Sequence, residues 1–209
     1  MRKPRDGEDT RERVLAAAAE LFAQHGFAGT SLAAISKACG ISDELILHHF
    51  QTKEGLYRQV LEDMSVRYAQ ALAQAHESAG SPAEAMQSTM AAAFDFWKND
   101  HTYQRISQWA ELEGRSELAQ QEAGLTAGLV REVEQLQGQG LVDRRYAPMV
   151  FLTLIIGPMH FWLRYRDQFK ASLNLSETPE ALDALFLEQK IEGFLGITDR
   201  PVAGEMRPV

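Results

Sequence analysis

What the 209-residue chain lacks narrows its class before any motif is considered. Its one cysteine, Cys39, excludes an internal disulfide and a structural zinc site built from several thiolates. Cys39 reads as a small buried apolar residue. No run of about 18 uninterrupted apolar residues occurs, so no membrane partner is expected. Met1 to Asp9 is charged, and no apolar segment behind it resembles a signal peptide, which makes a cytoplasmic protein the expectation. Alternating runs of β-branched residues are missing, and strands with them. There is no paired-carboxylate metal motif, nucleophile elbow or glycine-rich phosphate loop, so no catalytic residue, metal or cofactor is assigned.

A basic excess is also missing, since the formal net charge is −8. Its distribution matters more than its sum. Residues 1–60 hold eight Lys or Arg and eight Asp or Glu, which leaves 13 basic and 21 acidic side chains for the rest. A neutral head on an acidic body is compatible with nucleic-acid binding by the head.

What is present is helical period throughout, so the fold class is all-α, and 45% apolar residues suffice for a real core. A first helix is predicted from about Glu8 to His25, with Val14, Ala18, Leu21 and Phe22 on one face and Gly26 as its stop. A second follows Thr30 or Ser31 as N-cap and ends at Gly40; a third runs from Ser42 to about His49. Two short helices joined by a turn of about three residues have helix-turn-helix proportions. A long fourth helix starts at Thr52 and carries Leu56, Val60 and Met64. Ser81-Pro82-Ala83-Glu84 is a capping box with proline at the first helical position. Further helices are expected around Tyr103, Ile106 and Ala110, and from Leu118 through Leu125, Leu129 and Val133 to Leu136.

From Met149 to Leu163 only Thr153, Gly157 and His160 interrupt an apolar run, so this helix cannot have a fully solvated face. It is either a central core helix or one packed on a second subunit, and Pro158 predicts a kink in it. A last helix begins near Thr178-Pro179-Glu180, and the tail from Asp199 is expected to fray.

Residues Thr10 to Leu61 carry Glu20-Leu21-Phe22, Gly26-Phe27, Thr30-Ser31-Leu32, Gly40-Ile41-Ser42, His48-His49-Phe50 and Lys53-Glu54-Gly55-Leu56. At this spacing the segment resembles the DNA-binding domain of the TetR family of transcriptional regulators. The resemblance implies a helix-turn-helix domain over 1–55, joined by the long helix to a ligand-binding and dimerisation domain over 56–209. It further implies a homodimer on double-stranded operator DNA, with Met149–Phe169 and Thr178–Leu195 as the dimer interface. A small-molecule ligand, not identified by the sequence, shifts the body, and the long helix carries the shift to the head and releases the operator.

The third helix can be laid out from geometry alone. With Ile46 facing inward, Phe50 falls about 40° away at roughly 100° per residue, and Glu44 and His48 point outward with Leu45 and Leu47 flanking them. That surface departs from the resemblance, which sets a basic or small residue where Asp43 and Glu44 stand and a phosphate-gripping tyrosine where Leu47 stands. Asp43 and Glu44 suit the helix N-terminus through its dipole, and Glu44 is alternatively an acceptor for cytosine N4. Phosphate contacts are therefore expected from Thr30, Ser31, Lys37, His48, His49 and above all Lys53, and the N-cap Ser42 is counted with them among the DNA-binding residues. Arg2, Lys3 and Arg5 form a basic arm, either solubilising or reaching a minor groove. His48 and His49 have no third ligand at helical spacing, so metal is not expected there.

In the body, aromatic side chains either fill a core or line a pocket. Phe94, Trp97, Tyr103, Arg105, Trp109 and His160 are the candidate ligand-binding residues, because a buried Arg105 or His160 needs a partner that a ligand can supply. His160 has a second reading, a hydrogen-bonded histidine at the subunit contact. The acidic third helix also motivates a competing reading of the whole chain, a dimeric ligand-binding or adaptor protein whose head no longer binds DNA.

Overall fold

The computed structural model describes the backbone of residues 5–198 and the side chains of residues 8–190. Arg2 and Lys3 of the basic arm, the side chain of Arg5 and the tail from Asp199 lie outside the described residues. Among the described residues there are nine α-helices and no strand: α1 Arg5–Gly29, α2 Leu32–Cys39, α3 Asp43–Phe50, α4 Lys53–Glu77, α5 Pro82–Asn99, α6 His101–Leu112, α7 Glu117–Gly138, α8 Pro148–Leu173 and α9 Pro179–Thr198.

The chain divides into two compact units, each built from two stretches of sequence. One unit joins residues up to Ala71 with Phe96–Gly124; the other joins Leu72–Asp95 with the chain from Leu125 onward. α6 therefore belongs with the head, a long-range arrangement that helical periodicity does not report.

Local signals set most helix ends. The Ser31 hydroxyl accepts from the Ala34 N–H at 3.1 Å and Ser42 from the Leu45 N–H at 3.4 Å, so each serine satisfies a first-turn donor. Thr52 does the same for Gly55 at 2.9 Å, Ser81 for Glu84 at 3.3 Å and Thr178 for Ala181 at 3.2 Å. Asp100, expected only to end a helix, is the N-cap of α6 through the Tyr103 N–H at 2.8 Å. Gly26 has φ +72° and ψ 179°, so α1 is broken there and the chain makes one more turn before Thr30. Gly55 is demanded by space: a Cβ there would lie 2.2 Å from the Phe50 carbonyl oxygen.

The head packs Val14, Ala18 and Phe22 of α1 against Ile35 and Cys39 of α2, Ile46 and Phe50 of α3, and Leu56, Tyr57, Val60 and Leu61 of α4. The spacing of four in α1 aligns one face with this core. Phe22, Phe27 and Tyr57 form an aromatic trio with centroids 4.9 to 6.1 Å apart. Each fully buried aromatic contributes on the order of 2–3 kcal/mol, so the trio anchors the small domain.

In the second unit, α8 buries Phe151, Leu152, Ile155 and Met159. Phe186 of α9 stacks between Phe94 and Trp162, with centroids 5.9 and 4.9 Å away. Asp183, 2% exposed, accepts from Trp162 Nε1 at 2.9 Å and pairs with Arg166, which fixes α9 against α8. α8 continues through Pro158. Proline cannot donate to the carbonyl four residues back; that carbonyl belongs to Leu154, and Lys190 Nζ donates to it at 2.7 Å.

The Met149–Leu163 run is not covered on all sides within one chain. Val150, Leu154, Phe161 and Phe169 lie along a second apolar stripe of α8, with Leu154 41% and Phe161 54% exposed.

Candidate nucleic-acid interface and ligand site

α2, the turn at Gly40 and Ile41, and α3 are held from below by Ile35, Cys39, Ile41, Ile46 and Phe50, all buried. The opposite surface carries Ser31, Lys37, Ser42, Glu44, Leu45, Leu47 and His48, all exposed, with Asp43 and His49 half-buried. Leu45 and Leu47 are 41% and 38% exposed, so the two leucines do flank the outward face. The rings of His48 and His49 stand 5.5 Å apart, nearly perpendicular. Apart from Lys37 and the histidines this surface is short of cations.

Two expected phosphate contacts are placed differently. Thr30 is 2% exposed, and its hydroxyl is shared between the carbonyls of Gly26 at 2.7 Å and Leu21 at 3.1 Å, which ties down the end of α1. Its side chain is thus withdrawn from the surface that DNA would touch. Lys53 donates to the Phe27 and Thr30 carbonyls at 2.9 Å each and sits 4.2 Å above the Phe27 ring. Two of its three ammonium donors are engaged in stapling the α1–α2 turn to α4. The strong sequence match at Lys53 marked an important residue without revealing which way it points.

The Gly26 break is also where α6 meets the head. Arg105 Nε and Trp109 Nε1 both donate to the Ala23 carbonyl, at 3.2 and 3.1 Å. Glu113 accepts from the Phe27 and Ala28 N–H groups at 3.2 and 2.9 Å, taking the two donors that the break leaves without helical partners. The Arg115 guanidinium lies 3.7 Å over Phe27 and 5.0 Å over Tyr57, and pairs with Glu117. Burial pushes the Tyr57 phenol up to about 12, against the opposing field of Arg115. Neither Glu113 nor Arg115 was singled out by the sequence, because the α1 groups they meet at Phe27 and Ala28 lie more than 80 residues away.

The six candidate ligand residues fall in both compact units, Phe94 and His160 in one and Trp97, Tyr103, Arg105 and Trp109 in the other. Phe94 packs on Phe186 in the second unit, and His160 is exposed on α8. Arg105 and Trp109 have their polar atoms on α1, as described. Trp97 and Tyr103 do come together, meeting Tyr68 at 5.6 and 5.9 Å, with Phe96 5.0 Å from Tyr68 and 5.3 Å from Tyr103. At this cluster Tyr103 donates its hydroxyl to Glu122 Oε1 at 2.5 Å. Burial raises the Glu122 pKa, opposed by that hydrogen bond. A signal for Glu122 was present: it occupies the apolar stripe of α7 between Leu118 and Leu125, where a carboxylate is out of pattern. Elsewhere, an open polar cleft of about 370 Å³ is lined by residues including His76, Ser81, Glu132 and Gln139. His76 Nδ1 meets Glu132 there at 3.3 Å.

Two short helices joined by a tight turn on a packed head have the form of a helix-turn-helix. The profile described as "Bacterial regulatory proteins, tetR family" matches residues 14–60, and "Tetracyclin repressor-like, C-terminal domain" matches residues 87–186. The chain belongs to the TetR family of bacterial regulatory proteins.

The HTH-type transcriptional regulator UidR of Escherichia coli K12 is 41% identical over 56 residues, covering 27% of this chain and 29% of that protein. The HTH-type transcriptional regulatory protein RaaS of Mycobacterium tuberculosis is 37% identical over 122 residues, covering 58% of this chain and 44% of that protein. The chain thus spans less than half the length of these curated relatives. The crystal structure of SCO4942 from Streptomyces coelicolor superposes with a TM-score of 0.73 at 27% identity, covering 92% of this chain and 99% of that one.

Proposed function

We propose that this protein is a transcriptional repressor that binds double-stranded operator DNA as a homodimer and leaves it when a small molecule binds the body. The observation that carries the reading is the exposed face of α2 and α3 over a fully packed head. Ser31, Lys37, Ser42, His48 and His49 supply phosphate contacts, and Glu44, Leu45 and Leu47 meet the bases. Leucine suits a thymine methyl, and a carboxylate suits cytosine N4. Support for the dimer comes from the exposed apolar stripe of α8, with Leu185 of α9, itself 47% exposed, adding to the apolar surface of that unit. α4 runs unbroken from Lys53 to Glu77, which gives the ligand signal a continuous backbone route to the head.

A gel-shift against the DNA flanking the protein's own gene tests the reading. Binding is expected to weaken steeply with salt, because phosphate contacts release counterions. If no salt-sensitive binding is found, the head does not read DNA. The acidic surface of α3 then favours a ligand-binding or adaptor protein instead.

A further inference from the structure

We propose that Glu122, together with the rings of Tyr68, Phe96, Trp97 and Tyr103, forms the recognition site for a hydrophobic organic cation, an amine or onium group. The proposal rests on the ligand-responsive reading above and names the class of ligand.

Glu122 is a carboxylate on an apolar helix face, half-buried and hydrogen-bonded to the Tyr103 hydroxyl at 2.5 Å. Among the described residues no lysine or arginine pairs with it. Removing a carboxylate from water without a counter-charge is unfavourable, so a site of this kind is completed by a cation from outside. Tyr103 reaches it through its hydroxyl, the rings of Tyr68 and Phe96 adjoin Tyr103, and Trp97 adjoins Tyr68, with centroids 5.0 to 5.9 Å apart; all five residues belong to one compact unit. Ring faces carry the negative part of the aromatic quadrupole and attract a cation within about 6 Å. Phe96 and Glu122 are half-buried while Tyr68, Trp97 and Tyr103 are buried, so the cluster has an edge that solvent reaches. An anionic ligand would be repelled by Glu122, and a neutral one would leave its charge unmatched.

Tetraphenylphosphonium and its isostere tetraphenylborate test the charge preference directly, read by quenching of tryptophan fluorescence in the full-length protein. The cation is expected to bind saturably and at least about tenfold more tightly than the borate. Glu122→Gln keeps the shape and still accepts from Tyr103, yet should weaken the cation by about tenfold or more and leave the borate unchanged. Cation affinity should also fall as pH is lowered through the raised Glu122 pKa, a readout that needs no variant. Equal binding of the two probes, no saturable cation binding, or full affinity in a folded Glu122→Gln protein would each overturn the site. A gel-shift on the same preparation separates the two ideas. Lost cation binding with intact DNA binding sinks only this site, whereas the reverse sinks the repressor reading.

Discussion

Replacing Gly26 by alanine is expected to unfasten the head from α6. The backbone at Gly26 sits at φ +72° and ψ 179°, a region that L side chains essentially do not adopt, which costs about 1–3 kcal/mol. The new Cβ would lie 2.5 Å from Glu113 Oε1 and 2.9 Å from the Trp109 ring. Glu113 can swing away, but it then releases the Phe27 and Ala28 N–H groups, at about 1 kcal/mol for each bond. Trp109 is anchored through the Ala23 carbonyl and yields less readily. Together these effects amount to about 3–5 kcal/mol. Urea unfolding followed by tryptophan fluorescence reports on it, since Trp97 and Trp109, two of the three tryptophans, belong to this unit. Gly124→Ala is the control: it lies in α7 with nothing within 4 Å of an added Cβ, and should be neutral or stabilising by up to about 1 kcal/mol. A loss below about 1 kcal/mol in Gly26→Ala would refute the described packing of α6 on the head.

Three further outcomes are expected. Lys53→Met should lower stability by about 1–3 kcal/mol, through two lost carbonyl contacts and the ring contact, while the salt dependence of DNA binding is unchanged. A slope smaller by about 0.9 would instead return Lys53 to the phosphate backbone. Glu44→Gln should change base preference at one operator position, away from cytosine and toward adenine, in a binding-site selection; an unaltered preference would mean that Glu44 serves only the helix N-terminus. Phe161→Asp introduces charge on the exposed stripe of α8 and should yield a folded monomer by sedimentation, whereas a persistent dimer would place the interface elsewhere.

Helix ends were legible because their causes are local. Ser31, Ser42 and the Ser81-Pro82 pair cap the helices they precede, and Gly26 interrupts α1 where the pattern stops. The inward positions Val14, Ile35, Ile46 and Leu56 follow from period alone. What stayed hidden was the identity of distant partners. Periodicity tells which side of α6 is apolar, but not that Ala23 and Phe27 meet it. Lys53 looks like a surface cation in sequence and becomes a staple only once the Phe27 and Thr30 carbonyls converge on it. Thr30 stands next to the true N-cap, Ser31, and one residue decides between a hydroxyl facing outward and one turned back onto α1.

The union of α6 with the head sets a rule for building chimaeras. Exchanging helix-turn-helix heads among TetR-family proteins invites a cut after α3, near residue 55. Such a graft would carry Gly26, Phe27 and Ala28 into a protein whose own α6 had matched another surface, leaving the N–H groups that bond to Glu113 and the Phe27 ring beneath Arg115 facing strangers. A transplant that keeps operator choice and folding together has to bring two separate stretches, the chain up to Ala71 and Phe96–Gly124. Because the second stretch includes Tyr103 and Glu122, a new address on DNA would travel with part of the old chemical sense.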